Sequence, residues 1–216
     1  MMSRVRSVGR ILCVSILLLG GLAATAQESV SALDNAIRRL SAGEGLQADF
    51  EMKLEGETIP AHYYAEGRRF YYDSEPVKAW YNGTDLWVYI AQNGEVNLST
   101  PEKEDLLEIN PLLNLEELRT HHFGVREERV GESVRVTATP DSATTGSYRG
   151  TLRRLTAMIT PEGRPLTLTI EEADLEQPIE ILVTRFEEGA FPELRKRDFF
   201  AYTSAKVPGA VVIDLR

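Results

Sequence analysis

Cysteine is almost missing from this sequence: Cys13 is the only one among 216 residues. A disulfide framework and dithiol chemistry are therefore excluded. Histidine is nearly as scarce, at three residues. His62 falls on an outward strand face. His121 and His122 are neighbours at a helix-to-strand junction, where adjacent side chains point apart, so one metal ion could not use both. No glycine-rich phosphate loop, no G-x-S-x-G and no H-E-x-x-H occurs, so the usual signatures of nucleotide, serine and zinc chemistry are missing. Glu102, Glu104, Asp105 and Glu108 cluster, but without the alternating spacing of a calcium loop. They read as the charged face of a helix. Positive charge is in deficit as well, with 24 basic against 33 acidic residues and a net charge of −9. Such a surface repels a phosphate backbone, which argues against nucleic-acid binding. Arg153-Arg154 and Arg195-Lys196-Arg197 are basic exceptions and read as solvated, the alternative being contact with lipid headgroups or a partner.

The amino terminus has the form of an export signal. Arg4, Arg6 and Arg10 precede an apolar run, Ile11 to Leu22, followed by the small-x-small stretch Ala24-Thr25-Ala26. The run is shorter than the roughly 20 residues of a membrane span. Cleavage after Ala26 is expected, leaving residues 27–216 as one domain in an extracytoplasmic space. Cys13 lies inside the apolar run behind Leu12, not a small residue, so a lipid anchor is not expected. Taking the three arginines from the 24 basic residues leaves 21 against 33 acidic ones, a net of −12. No second long apolar run follows.

The rest is mainly β with helices. Val30, Leu33, Ile37 and Leu40 predict a helix over 28–40, ended by Gly43 and Gly45. Leu46, Ala48, Phe50, Met52 and Leu54 then alternate with Gln47, Asp49, Glu51, Lys53 and Glu55, the pattern of a strand with one dry face. The same period continues through Ile59–Tyr63 and Phe70–Tyr72. Asn82-Gly83, between Val77–Tyr81 and Thr84–Ile90, is a hairpin turn, and Asn93-Gly94 is another. Residues 46–99 thus read as a six-stranded meander. Leu106, Leu107 and Ile109, then Leu112, Leu113, Leu115 and Leu118, predict two short helices broken near Pro111. Strands are expected at 124–130, 133–139, 152–160, 165–171 and 179–187, and again where Val211, Ile213 and Leu215 alternate.

Aromatic residues are in excess between Tyr63 and Tyr89, on both strand parities. Trp80, Trp87 and Tyr89 oppose Ala79, Leu86, Val88 and Ile90. Two readings fit: a sheet packed on both faces, or a concave sheet holding an apolar ligand beneath a helical lid.

Three stretches carry a family resemblance. Gly67-Arg68-Arg69-Phe70 through Ala79-Trp80-Tyr81-Asn82-Gly83-Thr84-Asp85-Leu86-Trp87-Val88-Tyr89 resembles the G-x-F … D-G-x-x-x-W-x-Y hairpin of the LolA-like periplasmic lipoprotein carriers. Glu95–Pro101 with Ile109-Asn110-Pro111 resembles the strand-then-lid passage of a divergent LolA-like branch. Phe200-Ala201-Tyr202 and Pro208–Asp214 are similar to the family's closing F-x-F … P-x-G-V-x-V-I-D. The likeness spans most of residues 27–216. It implies an incomplete antiparallel β-barrel closed by an N-terminal helix and a short helical lid. It implies a monomeric, non-enzymatic carrier without cofactor, moving acylated lipoproteins from an inner-membrane exporter complex to an outer-membrane receptor. On this reading Phe50, Met52, Phe70, Tyr72, Trp80, Trp87 and Tyr89 form the floor and wall of an acyl cavity. Leu106, Leu107, Ile109, Leu112, Leu113 and Leu115 form its lid. The alternative is a module of this fold that senses lipid or lipoprotein without transport. One departure is plain: the family's latch arginine, two residues before the glycine of G-x-F, is Ala65 here, and Arg68 and Arg69 follow that glycine instead.

Overall fold

The structure is a computed structural model that describes residues 31–41, 43–119, 123–141 and 152–216. The signal segment, His121-His122 and most of the polar loop after Asp141 lie outside the described residues. Among the described residues twelve strands form one sheet: β1 (Leu46–Leu54), β2 (Glu57–Glu66), β3 (Arg69–Ser74), β4 (Val77–Tyr81), β5 (Leu86–Ile90), β6 (Glu95–Ser99), β7 (Phe123–Val130), β8 (Ser133–Pro140), β9 (Leu152–Ile159), β10 (Pro165–Glu172), β11 (Ile179–Glu188) and β12 (Val211–Asp214). Their spatial order is β12-β6-β5-β4-β3-β2-β1-β11-β10-β9-β8-β7. The two ends, β12 and β7, do not pair, so the sheet stays open. Every pairing is antiparallel except that of β12 with β6, which runs parallel. The meander over 46–99 forms as expected, and so do the later strands to within two residues at their ends.

Where β1 meets β11 the register shifts: Asp49 pairs with Arg185, but Phe50 pairs with Val183. The extra residue, Thr184, donates its hydroxyl to the Asp49 carbonyl at 3.1 Å. A bulge of this kind bends the strand and strengthens its twist. It also keeps Phe186, Val183 and Ile181 all buried on the side of Ala48 and Phe50.

Three helices cover that inner face: α1 (Ala32–Leu40), α2 (Lys103–Ile109) and α3 (Asn114–Glu117), the last two joined by a 3-10 turn at Pro111–Leu113. The sequence predicts α1 from residue 28. In the structure it starts at Ala32 because Ser31 is its N-cap, accepting the Asp34 N–H at 3.0 Å. Its buried side, Ala32, Leu33, Ala36 and Leu40, joins Leu112, Leu115 and Leu118 over Phe50, Tyr63, Phe70 and Tyr72. Burying each leucine contributes about 2 kcal/mol.

The β9–β10 turn locks α1 in place. Asn35 donates to the Pro161 carbonyl at 2.7 Å and Arg39 to that of Glu162 at 2.6 Å. Gly163, at φ +92°, comes so close that a Cβ there would stand 2.3 Å from the Asn35 carbonyl carbon. Only glycine fits both the conformation and the space.

The opposite, outer face of β2–β4 is covered by the segment 189–210, which we call the strap; apart from a 3-10 turn at Pro192–Arg195 its backbone is irregular. Leu194 and Phe200 are its buried anchors. Its Phe199 meets Tyr64 and Tyr71 edge-on at 5.6 and 5.7 Å, while Tyr202 tilts against Trp80 at 5.5 Å. Beneath it, Tyr64, Tyr71 and Trp80 stack from strand to strand at 6.0 and 5.3 Å. Lys206 fastens the strap. Its Nζ donates to the carbonyls of Asp198, Phe199 and Ala201 at 2.6, 2.9 and 2.8 Å and lies 5.5 Å from the Trp80 ring centre.

Candidate functional site

Between the inner face and the helices is a cavity of ≈ 290 Å³. Tyr63 of β2, Phe70 of β3 and Tyr81 of β4 make its floor. Leu106, Leu107 and Leu113 make its roof, and Leu40 closes the α1 side. Floor residues share one parity because Tyr63, Tyr72 and Ala79 are register partners, as are Phe70 and Tyr81. The rings interlock, Tyr63 to Phe70 at 6.0 Å and Phe70 to Tyr81 at 5.4 Å. The roof exists because Pro111 interrupts one helix and starts another turn, folding two leucine clusters onto the same side.

Polar groups stand at the ends of the cavity. Burial pushes the pKa of the Tyr63 hydroxyl up, the Asn110 side chain opposing the shift. Asn110 is fully buried, and its Oδ1 accepts the Leu112 N–H at 3.1 Å, which fixes the break in the lid. At the mouth lie Arg68, Lys103, Glu116 and Glu117. Lys103 and the buried Glu117 pair at 2.6 Å. Glu116 accepts the Ser41 hydroxyl at 3.1 Å, tying α3 to the end of α1. Burial raises the Glu116 carboxyl above its usual range, the Ser41 bond opposing this and the Glu117 charge adding to it. The arrangement offers an apolar interior with charged groups of both signs at its entrance. Among the described residues no three His, Cys, Asp or Glu side chains gather to hold a metal ion. His62 lies on the outer face, 2.7 Å from Asp49.

The residues expected from the sequence divide into two groups. Phe70 lines the cavity, and Phe50, Met52 and Tyr72 share its face, Phe50 and Tyr72 buried deeper in the core. Trp80, Trp87 and Tyr89 do not join them. Trp80 pairs with Tyr71 and Trp87, and Lys78 with Tyr89, all on the outer face. Their placement in the cavity wall is therefore corrected: strand parity separates them from it, and the strap covers Trp80. The six residues expected to form the lid lie on the helical side of the cavity. Leu106, Leu107 and Leu113 face the cavity, Leu112 and Leu115 are fully buried beneath it, and Ile109 packs against the core. Sequence reasoning missed Tyr63, Tyr81 and Leu40, although their alternation or helical spacing marked them as inward. It also missed Arg68 and Lys103, which nothing in local pattern connects. The latch position, Ala65, is buried. Arg68 reaches the cavity mouth, while Arg69 pairs with Glu66 and lies over the Phe200 ring at 4.9 Å.

An open, mostly antiparallel sheet with helices enclosing an apolar cavity on one face defines the class of protein. No sequence family model matches the chain, and no curated protein matches it. Solved structures do. An uncharacterized conserved protein from Thermus thermophilus aligns at a TM-score of 0.51 and 14% identity, covering 85% of this chain and 96% of that one. A DUF1329 family protein from Desulfovibrio piger aligns at 0.43 and 13%, covering 81% and 97%. MucB in the Pseudomonas aeruginosa MucA/MucB complex aligns at 0.40 and 15%, covering 80% and 61%. At such identities the likeness is one of fold alone.

Proposed function

We propose that this protein is an extracytoplasmic carrier that shelters the acyl chains of lipoproteins in the cavity under its leucine lid and moves them between membranes. The observation that carries the reading is the cavity itself: tyrosine and phenylalanine below, leucines above, charges only at the mouth. Its ≈ 290 Å³ falls just below the ligand-pocket range of about 300–1,000 Å³. An acyl chain held in water loses about 0.8 kcal/mol of stabilisation for each exposed methylene, so a soluble carrier must bury most of it. A roof of two short helical pieces, hinged around Asn110 and Pro111, can yield to a longer chain more readily than a twelve-stranded sheet. The resemblance of the three sequence stretches to the LolA-like carriers agrees with this. Export with cleavage after Ala26 belongs to the same proposal, as does an exporter partner at the inner membrane.

The test is displacement of a fluorescent fatty acid. The wild-type protein is expected to bind it and release it to a diacylated or triacylated lipopeptide. Leu106→Glu with Leu113→Glu places two charges in the roof and is expected to weaken probe binding at least tenfold with unchanged far-UV circular dichroism. Both leucines are only half-buried, so the fold tolerates the exchange. Undiminished binding by a folded variant would remove the cavity from the account.

A further inference from the structure

The outer face carries a second surface that the acyl cavity does not use. A cleft of ≈ 430 Å³ opens between the strap and strands β3 and β4, with Lys78, Trp80, Lys196 and Arg197 along its walls. Arg195, Lys196 and Arg197 are exposed and have no ion-pair partner among the described residues. Lys196 and Arg197 line the cleft with Lys78, which pairs with Asp73, and Lys206, which is bound to strap carbonyls, so four cations meet two acids there, Asp73 and Asp198. Elsewhere the chain is dominated by acid. One strand further on, Tyr89 is the register partner of Lys78 and Trp87 that of Trp80, and both are half-exposed. Half-exposed indole and phenol rings beside lysine and arginine are the composition found where proteins meet the headgroup layer of a bilayer.

We infer that this face docks the protein onto a bilayer surface rich in anionic phospholipid, through the exposed run Arg195-Lys196-Arg197 with Trp87 and Tyr89 on the same face. Charge complementarity selects the occupant: the basic patch is local, whereas the whole molecule is repelled by such a surface. The topology argues against an acidic peptide, because β4 and β5 are interior strands with both edges already paired. No backbone edge is open there to hold an extended chain. In the strap, Lys206 already occupies three carbonyls. What remains is a set of exposed charges and flat rings, which suits a laterally mobile layer of headgroups. The inference stands apart from the acyl-cavity reading, since the two surfaces lie on opposite faces of the sheet.

Vesicle flotation tests it. The protein is expected to float with vesicles of equal phosphatidylglycerol and phosphatidylcholine at low salt, to detach as salt screens the contact, and to ignore pure phosphatidylcholine. Trp87 is half-exposed on the docking face, so its emission should shift to the blue on binding, whereas the buried Trp80 should contribute no shift. Each basic residue near an anionic surface contributes about a factor of five. Lys196→Glu with Arg197→Glu, in an exposed segment, should therefore weaken flotation by about 25-fold or more. Leu106→Glu with Leu113→Glu should float like wild type, which separates docking from cavity binding. Equal flotation of the charge-reversed and wild-type proteins would overturn the inference, as would no flotation of the wild type at low salt. Binding to polyglutamate but not to vesicles, sensitive to the same two substitutions, would overturn it in favour of an acidic protein partner.

Discussion

Glu116 is the residue at which the cavity mouth is most sensitive to its surroundings. Its carboxyl is raised by burial, with Glu117 adding to the shift and Lys103 opposing it. A carboxyl raised in the folded state binds its proton more tightly there than in the unfolded chain. Its cost to stability is absent below the unfolded value of 4.5 and grows as pH climbs through the folded one. Glu116→Gln keeps an acceptor for Ser41 and removes the charge. It is expected to raise the melting temperature at pH 7.5 and to leave it unchanged below pH 4.5; a gain equal at both values would contradict the assignment. At the same scale, the alternation of Phe50, Phe70 and Tyr72 with their neighbours is legible in the sequence because strand parity is a local property. Which parity faces the helices is not local. Trp80, Trp87 and Tyr89 look as apolar as Phe70 and Tyr72, and only the full register shows them on the other side.

Among the elements, α1 and the strap depend most on contacts distant in sequence. Gly163 touches the α1 backbone across more than a hundred residues of chain. Gly163→Ala combines a left-handed backbone conformation with a collision against Asn35 and Ala36, and is expected to cost about 2–4 kcal/mol, read as a lowered denaturant midpoint. A midpoint within experimental error of wild type would contradict the docking of that turn. Lys206→Met removes the donor to three strap carbonyls and the cation over Trp80. It is expected to cost about 1–3 kcal/mol and to expose the strap to limited proteolysis before the sheet. Simultaneous loss of strap and sheet would show that the strap is part of the cooperative core. The meander and the two leucine-rich helical pieces were legible because repeating apolar spacing and Asn-Gly turns announce them. The strap was not. Its backbone is irregular, its anchors Leu194, Phe199 and Phe200 follow no period, and its aromatic partners are more than a hundred positions away. The parallel partnership of β12 with β6 likewise leaves no local signature.

The whole molecule is an open sheet with different covers on its two faces: helices above an apolar cavity, and a basic strap over an aromatic ladder. This division explains the aromatic excess noticed in the sequence. Part of it floors the cavity, and the rest holds the strap and presents half-exposed rings. If the protein is exported, its periplasmic pool should have the intact mass of a chain beginning at Gln27; retention of residues 1–26 would contradict cleavage after Ala26. The carrier reading asks for one bound lipoprotein per molecule, held by its acyl chains alone. The most direct measurement is native mass spectrometry of the protein isolated from cells co-expressing a triacylated lipoprotein. The account expects a one-to-one adduct that disappears when the lipoprotein's acylated cysteine is replaced and weakens with Leu106→Glu and Leu113→Glu. No adduct with the acylated form, or an equal adduct with the unacylated one, would contradict it.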